Sequence, residues 1–187
     1  MFQNLSLRRS AAIIAMTLAL PAAAAMLKPD TAKSNVAAVF KQMNVPVEAK
    51  FKKFTVQIDF DAAKPEASKA NIEIDTASLD LGDPEYNKEV QKKEWFNSAQ
   101  FPKATFVSST LKPAAGGKFD VAGKLTIKGK TADVSFPLTV KKEGNAQVFE
   151  GTLPIKRLAY NIGEGEWKDT SMVADEVLIK FRVVALQ

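Results

Sequence analysis

The sequence contains neither cysteine nor histidine. Without cysteine the fold cannot rest on disulfides, and no thiolate nucleophile is available. The loss of histidine closes more: ordinary zinc, copper and haem ligation and a Ser-His-Asp arrangement are all excluded. Concentrated charge is missing too, because the net +5 arises from 26 basic against 21 acidic residues with no long run of either sign. Nucleic acid is therefore not an expected partner. Carboxylates such as Asp75, Asp83 and Glu164 have no spacing that singles out a pair, and Tyr160 with Lys156 makes only a weak acid–base candidate, so no catalytic residues are assigned and no enzyme is expected. The pairs Lys52-Lys53, Lys92-Lys93 and Lys141-Lys142 read as solubilising, with a possible second use against an anionic membrane surface.

What is present begins with Arg8 and Arg9, then an apolar run over 11–20 that ends in Pro21-Ala22-Ala23-Ala24-Ala25. This predicts a secretory signal peptide over 1–25, with an Ala-x-Ala cleavage site, followed by a single domain over 26–187. The apolar run is far short of the roughly 20 residues a bilayer needs, so no transmembrane segment is expected in the mature chain.

The rest alternates. Phe119, Val121, Leu125 and Ile127 share one face of an extended segment, and Ala132, Val134, Phe136, Leu138 and Val140 share one face of the next, with Lys128-Gly129-Lys130 between them. That is an antiparallel hairpin with one dry face. Further strands are read at 34–51, with a bend at Pro46, at 54–60, 70–75, 104–109 and 147–155, and at 177–185. The period changes once, where Asp83-Pro84-Glu85 supplies an N-cap, a first-turn proline and an acidic first turn for a helix running to Trp95. Trp95, Phe96 and Phe101 either seat that helix on one end of the sheet or line an opening.

Eight amphipathic strands and one helix after the third predict an all-β domain, either a barrel or a sandwich. The dry faces are aliphatic and phenylalanine-rich. If a barrel encloses a cavity, its guest is a hydrocarbon.

The ordered residues resemble a known family. Trp95-Phe96-Asn97-Ser98-Ala99-Gln100-Phe101-Pro102 leading into 103–109 is similar to that family's aromatic pair, aromatic-Pro and strand ending in Ser. Val121-Ala122-Gly123-Lys124-Leu125-Thr126-Ile127-Lys128-Gly129-Lys130-Thr131 is similar to its V-x-G-x-L-T-I-x-G-x-T. The family is that of the YceI-like exported bacterial proteins, and the resemblance extends over essentially the whole mature chain. It implies an eight-stranded antiparallel lipocalin-like barrel in the periplasm, often a homodimer, whose apolar tunnel binds polyisoprenoid or quinone-like amphiphilic lipids as cargo. No other cofactor and no metal is implied.

On that reading the lining is Phe40, Phe54, Val56, Ile58, Ile72 and Ile74 from the early strands. Phe106, Phe119, Val121, Val134, Phe136, Ile179 and Phe181 supply the later ones. Arg157, Asn161 and Trp167 are placed at the head group. The chain departs from the family at Ala38, where a large apolar residue is common, at Ala49, where glycine is common, and in lacking histidine near its start. The competing expectation is a filled barrel that acts as a stress-linked or protein-binding module, with the helix and the 157–170 loop as its contact region.

Overall fold

The computed structural model describes residues 25–186, and the expected signal segment lies outside them but for its last residue, Ala25, which pairs with Phe60. The strands are β1 (Ala25–Pro29), β2 (Asn35–Gln42), β3 (Val45–Phe51), β4 (Phe54–Phe60), β5 (Lys69–Asp75), β6 (Leu79–Asp80), β7 (Lys103–Pro113), β8 (Lys118–Ile127), β9 (Lys130–Glu143), β10 (Ala146–Lys156) and β11 (Val173–Leu186). All the pairings are antiparallel. The order β1-β4-β5-β7-β8-β9-β10-β11 closes on itself through β11 and β1, which makes an eight-stranded barrel.

The remaining strands extend three of these eight. β1 and β2 lie end to end along β11, β3 runs into β4, and β5 runs into β6. Each break would strand backbone donors, and serine hydroxyls take some of them. Between β1 and β2, Ser34 Oγ accepts from Val184 N at 3.0 Å and donates to Asp30 O. Between β3 and β4, Ser78 accepts from Lys52 N through its carbonyl and from Lys53 N through its hydroxyl. The barrel thus bends without losing its ladder.

The segment 34–51, expected as one bent strand, is instead the β2–β3 hairpin. Met43 and Asn44 both adopt positive φ, 48° and 63°, the signature of a two-residue turn matched to strand twist. The Lys128-Gly129 turn joining β8 and β9 has the same form, with φ of 47° and 74°.

The helix is also shorter than expected. Among the described residues the only α-helix is α1 (Pro84–Glu89), capped by Asp83, whose side chain accepts from the amides of Glu85 and Tyr86. Past Glu89 the chain turns back on itself, with Phe96 N donating to Val90 O, so that Trp95 and Phe96 drop onto the end of the barrel. The expectation that the helix reaches Trp95 fails because these two rings gain more by burial than the six further residues gain from continued helix.

Asp80, at the end of β6, ties α1 to the barrel. Its carboxyl is held down to about 2, first by Lys52 Nζ at 2.7 Å, then by the Asn87 amide and the Gly82 N–H. A carboxyl held below its ordinary value stabilises the fold above that value and loses the contribution as pH falls through the folded pKa. Acidification from about pH 4 toward pH 2 is expected to lower the protection factors of amides 81–90, and Asp80→Asn should flatten that pH dependence. Protection that falls equally in the variant would mean that the tie is not the acid-sensitive element.

Candidate functional site

Inward-facing positions do not all do the same work. Two cavities lie end to end inside the barrel, with volumes of about 140 Å³ and about 120 Å³. Each is near the roughly 150 Å³ at which an apolar cavity stays dry and accepts a benzene-sized guest. The larger occupies the middle of the barrel, and the smaller lies toward α1. They share Val36, Ile74, Ala104, Leu125 and Ile179, which form a waist between them.

Nine of the thirteen residues expected to line a tunnel stand in these walls. Ile58, Ile72, Phe106, Val121, Phe136 and Phe181 face the larger cavity, Phe40 the smaller, and Ile74 and Ile179 both. The other four point to the same interior but are packing, not wall. Val56 is buried in the main core, Phe54 and Val134 lean on that core, and Phe119 sits edge-on to Phe60 at 6.0 Å. Sequence reasoning passed over Leu111, Leu125, Leu138, Phe149 and Leu153, all of them wall residues. Their alternation was visible; nothing in a period of two separates wall from filling.

The two small departures face each other. Ala38 of β2 pairs directly with Ala49 of β3, and both are buried. Ala38 lines the smaller cavity, so its missing bulk becomes part of that space.

The end near α1 is closed by side chains from three segments. Trp95 and Phe96 line the smaller cavity and also pack on the barrel core, so they seat this end as well as wall it. Trp95 meets Trp167 in a tilted contact with ring centroids 5.3 Å apart, and the Arg157 guanidinium lies 5.9 Å from the Trp95 ring centroid. Phe101 covers Gly129, where a Cβ would stand 2.9 Å from its ring and where φ is +74°, so only glycine fits the turn beneath it.

Arg157 is a correction. Expected at a head group, it is 2% exposed, and its five N–H groups are spent on backbone carbonyls. Nε donates to Ala174 O, Nη1 to Ile162 O and Gly163 O, and Nη2 to Trp167 O and Val173 O. Burial pushes its pKa down, and the nearby Asp175 carboxylate opposes that shift. The guanidinium folds the 157–170 loop against β11 and has no donor left for a ligand. Lys128 does similar work from the β8–β9 turn. Its Nζ donates to Lys93 O and Asn161 O at 2.7 Å and to Glu164 Oε2 at 2.9 Å, and it holds the Glu164 carboxyl below its ordinary range. Asn161 caps the turn after Arg157 in a left-handed conformation, and Trp167 is half-buried against Trp95.

The polar residues along the larger cavity are Asp59, Ser68, Lys69, Thr105 and Ser108, Arg157 borders the smaller, and the rest of both walls is apolar. Among the described residues no group of acidic side chains is placed to hold a metal, and no helix is long and apolar enough to cross a membrane. What the arrangement can do is remove a hydrocarbon chain from water.

Comparison with known proteins follows the same line. A family profile described as YceI-like domain matches residues 27–185. The crystal structure of Burkholderia cenocepacia BcnA superposes with a TM-score of 0.83 at 57% identity, covering 84% of this chain and 99% of that one. A polyisoprenoid binding domain from Saccharophagus degradans, implicated in plant cell wall breakdown, shares the fold at a TM-score of 0.65 and 18% identity, covering 86% of this chain and 97% of that one. Among curated relatives, a UPF0312 protein of Pseudomonas savastanoi pv. phaseolicola is 39% identical over 98 residues, 52% of this chain and 51% of that protein. This chain therefore matches about half the length of such relatives.

Proposed function

The chain belongs to the YceI-like family, and on that premise we propose that it is a carrier of polyisoprenoid or quinone-like amphiphilic lipids, exported to the periplasm. The observation that carries this reading is the pair of adjacent cavities that share five wall residues and are walled chiefly by aliphatic and phenylalanine side chains. Burying a prenyl tail there gains about 25 cal/mol for each Å² of apolar surface removed from water, and no polar catalyst is needed. The polyisoprenoid binding named for the Saccharophagus domain supports the same cargo class on the same fold. With Arg157 committed to the backbone, Asn161 and Trp167 remain as the head-group contacts of the proposal. The lipid is cargo, and the reading calls for no cofactor.

The protein's two tryptophans, Trp95 and Trp167, both sit at the α1 end, so intrinsic fluorescence reports directly on the smaller cavity. Titration with a long-chain prenyl alcohol is expected to shift that emission saturably. Ala38→Phe, which fills the smaller cavity, should weaken binding by about tenfold, the scale of a few lost methylene contacts. Unchanged affinity in that variant would place the tail elsewhere.

One observation favours a second reading, a protein-docking module. Met43, Val45 and Met172 are among the most exposed large apolar residues, and Met43 N donates to Met172 O at 2.8 Å, which places the hairpin tip beside the 157–170 loop's end. A protein that takes up no lipid in the titration above would move the search to that patch.

A further inference from the structure

Gly151 lies in β10 with its missing side chain directed inward, between Phe149 and Leu153. A Cβ built there would stand 2.5 Å from Cζ and 2.9 Å from Cε1 of Phe181, its direct partner on β11. The ring therefore lies back into the space that a side chain at 151 would fill. Phe181 meets Phe136 edge-on at 5.6 Å, and Phe136 meets Phe106 at 5.6 Å, so three rings form a continuous arc around the larger cavity.

Gly123 offers Phe106 a similar recess, with its ring 2.6 Å from a would-be Cβ. There, however, Val107 O would lie at 2.5 Å, so close approach of β7 and β8 demands glycine whatever the ring does. At Gly151 the two nearest atoms are the far end of a side chain, and the backbone contact, Pro137 O at 3.2 Å, is tight but needs to give by only a few tenths of an ångström. Glycine at 151 serves the cavity more than the wall.

We infer that Gly151, by letting Phe181 recline, sets the bore of the barrel and makes it selective for methyl-branched over straight hydrocarbon chains; this rests on the carrier reading above. The recess is the size of one methyl group, the increment by which an isoprenoid chain is wider than a straight one at each branch. A bore narrowed by that amount still passes a linear chain. One methyl group in an apolar pocket discriminates by about tenfold or more.

The test compares phytol with 1-hexadecanol, which share a main-chain length and differ chiefly in methyl branches, binding to the wild-type protein and to Gly151→Ala, with melting temperature followed alongside. Gly151→Ala is expected to weaken phytol about tenfold more than hexadecanol, and adding Phe181→Leu should restore the wild-type ratio. Equal losses for the two alcohols, or no loss, overturn the inference while leaving the carrier reading intact. If Gly151→Ala fails to fold, Phe181→Trp narrows the bore from the other partner and must show the same change in ratio. A wild-type protein that binds neither alcohol overturns both readings together.

Discussion

Arg157→Met lowers the melting temperature by about 10 °C. The reasoning is a count of stranded acceptors. Removing the guanidinium leaves the carbonyls of Ile162, Gly163, Trp167, Val173 and Ala174 without it, in a site where the side chain was 2% exposed. A buried acceptor left unsatisfied costs about 1–3 kcal/mol, and water reaching the exposed part of the loop recovers some of them, so a net loss of about 3 kcal/mol is the lower bound. For a domain of this size each kcal/mol moves the midpoint by about 2–4 °C. Arg157→Lys should rescue little, because one ammonium cannot reproduce a planar fork of five donors. The close fit at Gly163, where a Cβ would lie 2.1 Å from Nη1, points the same way. A melting temperature unchanged in Arg157→Met would return the guanidinium to ligand binding and undo the structural assignment.

Ala104→Phe weakens long-chain lipids by about a hundredfold. Ala104 lines both cavities and pairs with Ile74, another waist residue, so a phenyl ring there divides the space in two. A tail confined to one half loses several methylene burials at about 0.8 kcal/mol each, roughly 3 kcal/mol, which is about two orders of magnitude in affinity. Short chains that fit within the larger cavity should bind nearly as before, and this difference separates a blocked waist from a damaged fold. Overpacking itself costs about 1–3 kcal/mol, which calorimetry would register independently. Loss of short and long chains alike would show that the waist does not control access between the cavities.

The barrel was legible in the sequence where alternation is long and regular. β8, the Lys128-Gly129 turn and β9 could be read directly, because a glycine at positive φ and two period-two faces point to one hairpin. The β2–β3 hairpin was not, because its turn is Met43-Asn44; methionine carries no turn signal, and Pro46 two residues on carries the signal of a bend. The helix start was marked by Asp83-Pro84, whereas its end was unmarked, since burial of Trp95 and Phe96 stops it, not a glycine or proline.

The site was legible only in part, and for one physical reason. Alternation says which residues face inward and is the same for a packed core and a hollow one. Phe54, Phe119 and Val134 share their pattern with Phe106 and Phe136, yet only the latter two line the cavity. What hollows the barrel is spacing across strands, small residues such as Ala38, Ala104 and Gly151 set opposite Ile179, Ile74 and Phe181, and that depends on register. Arg157 was not legible because a lone arginine in a glycine-rich loop looks available; that the following loop folds back to converge five carbonyls on it cannot be seen along the chain.

Native mass spectrometry of the protein purified from its own cells, followed by solvent extraction, tests the central claim most directly. The account predicts a stoichiometric adduct that dissociates as a prenyl lipid or a quinone-like amphiphile. A clean unliganded mass, from a protein that also takes up no added prenyl lipid, would contradict it.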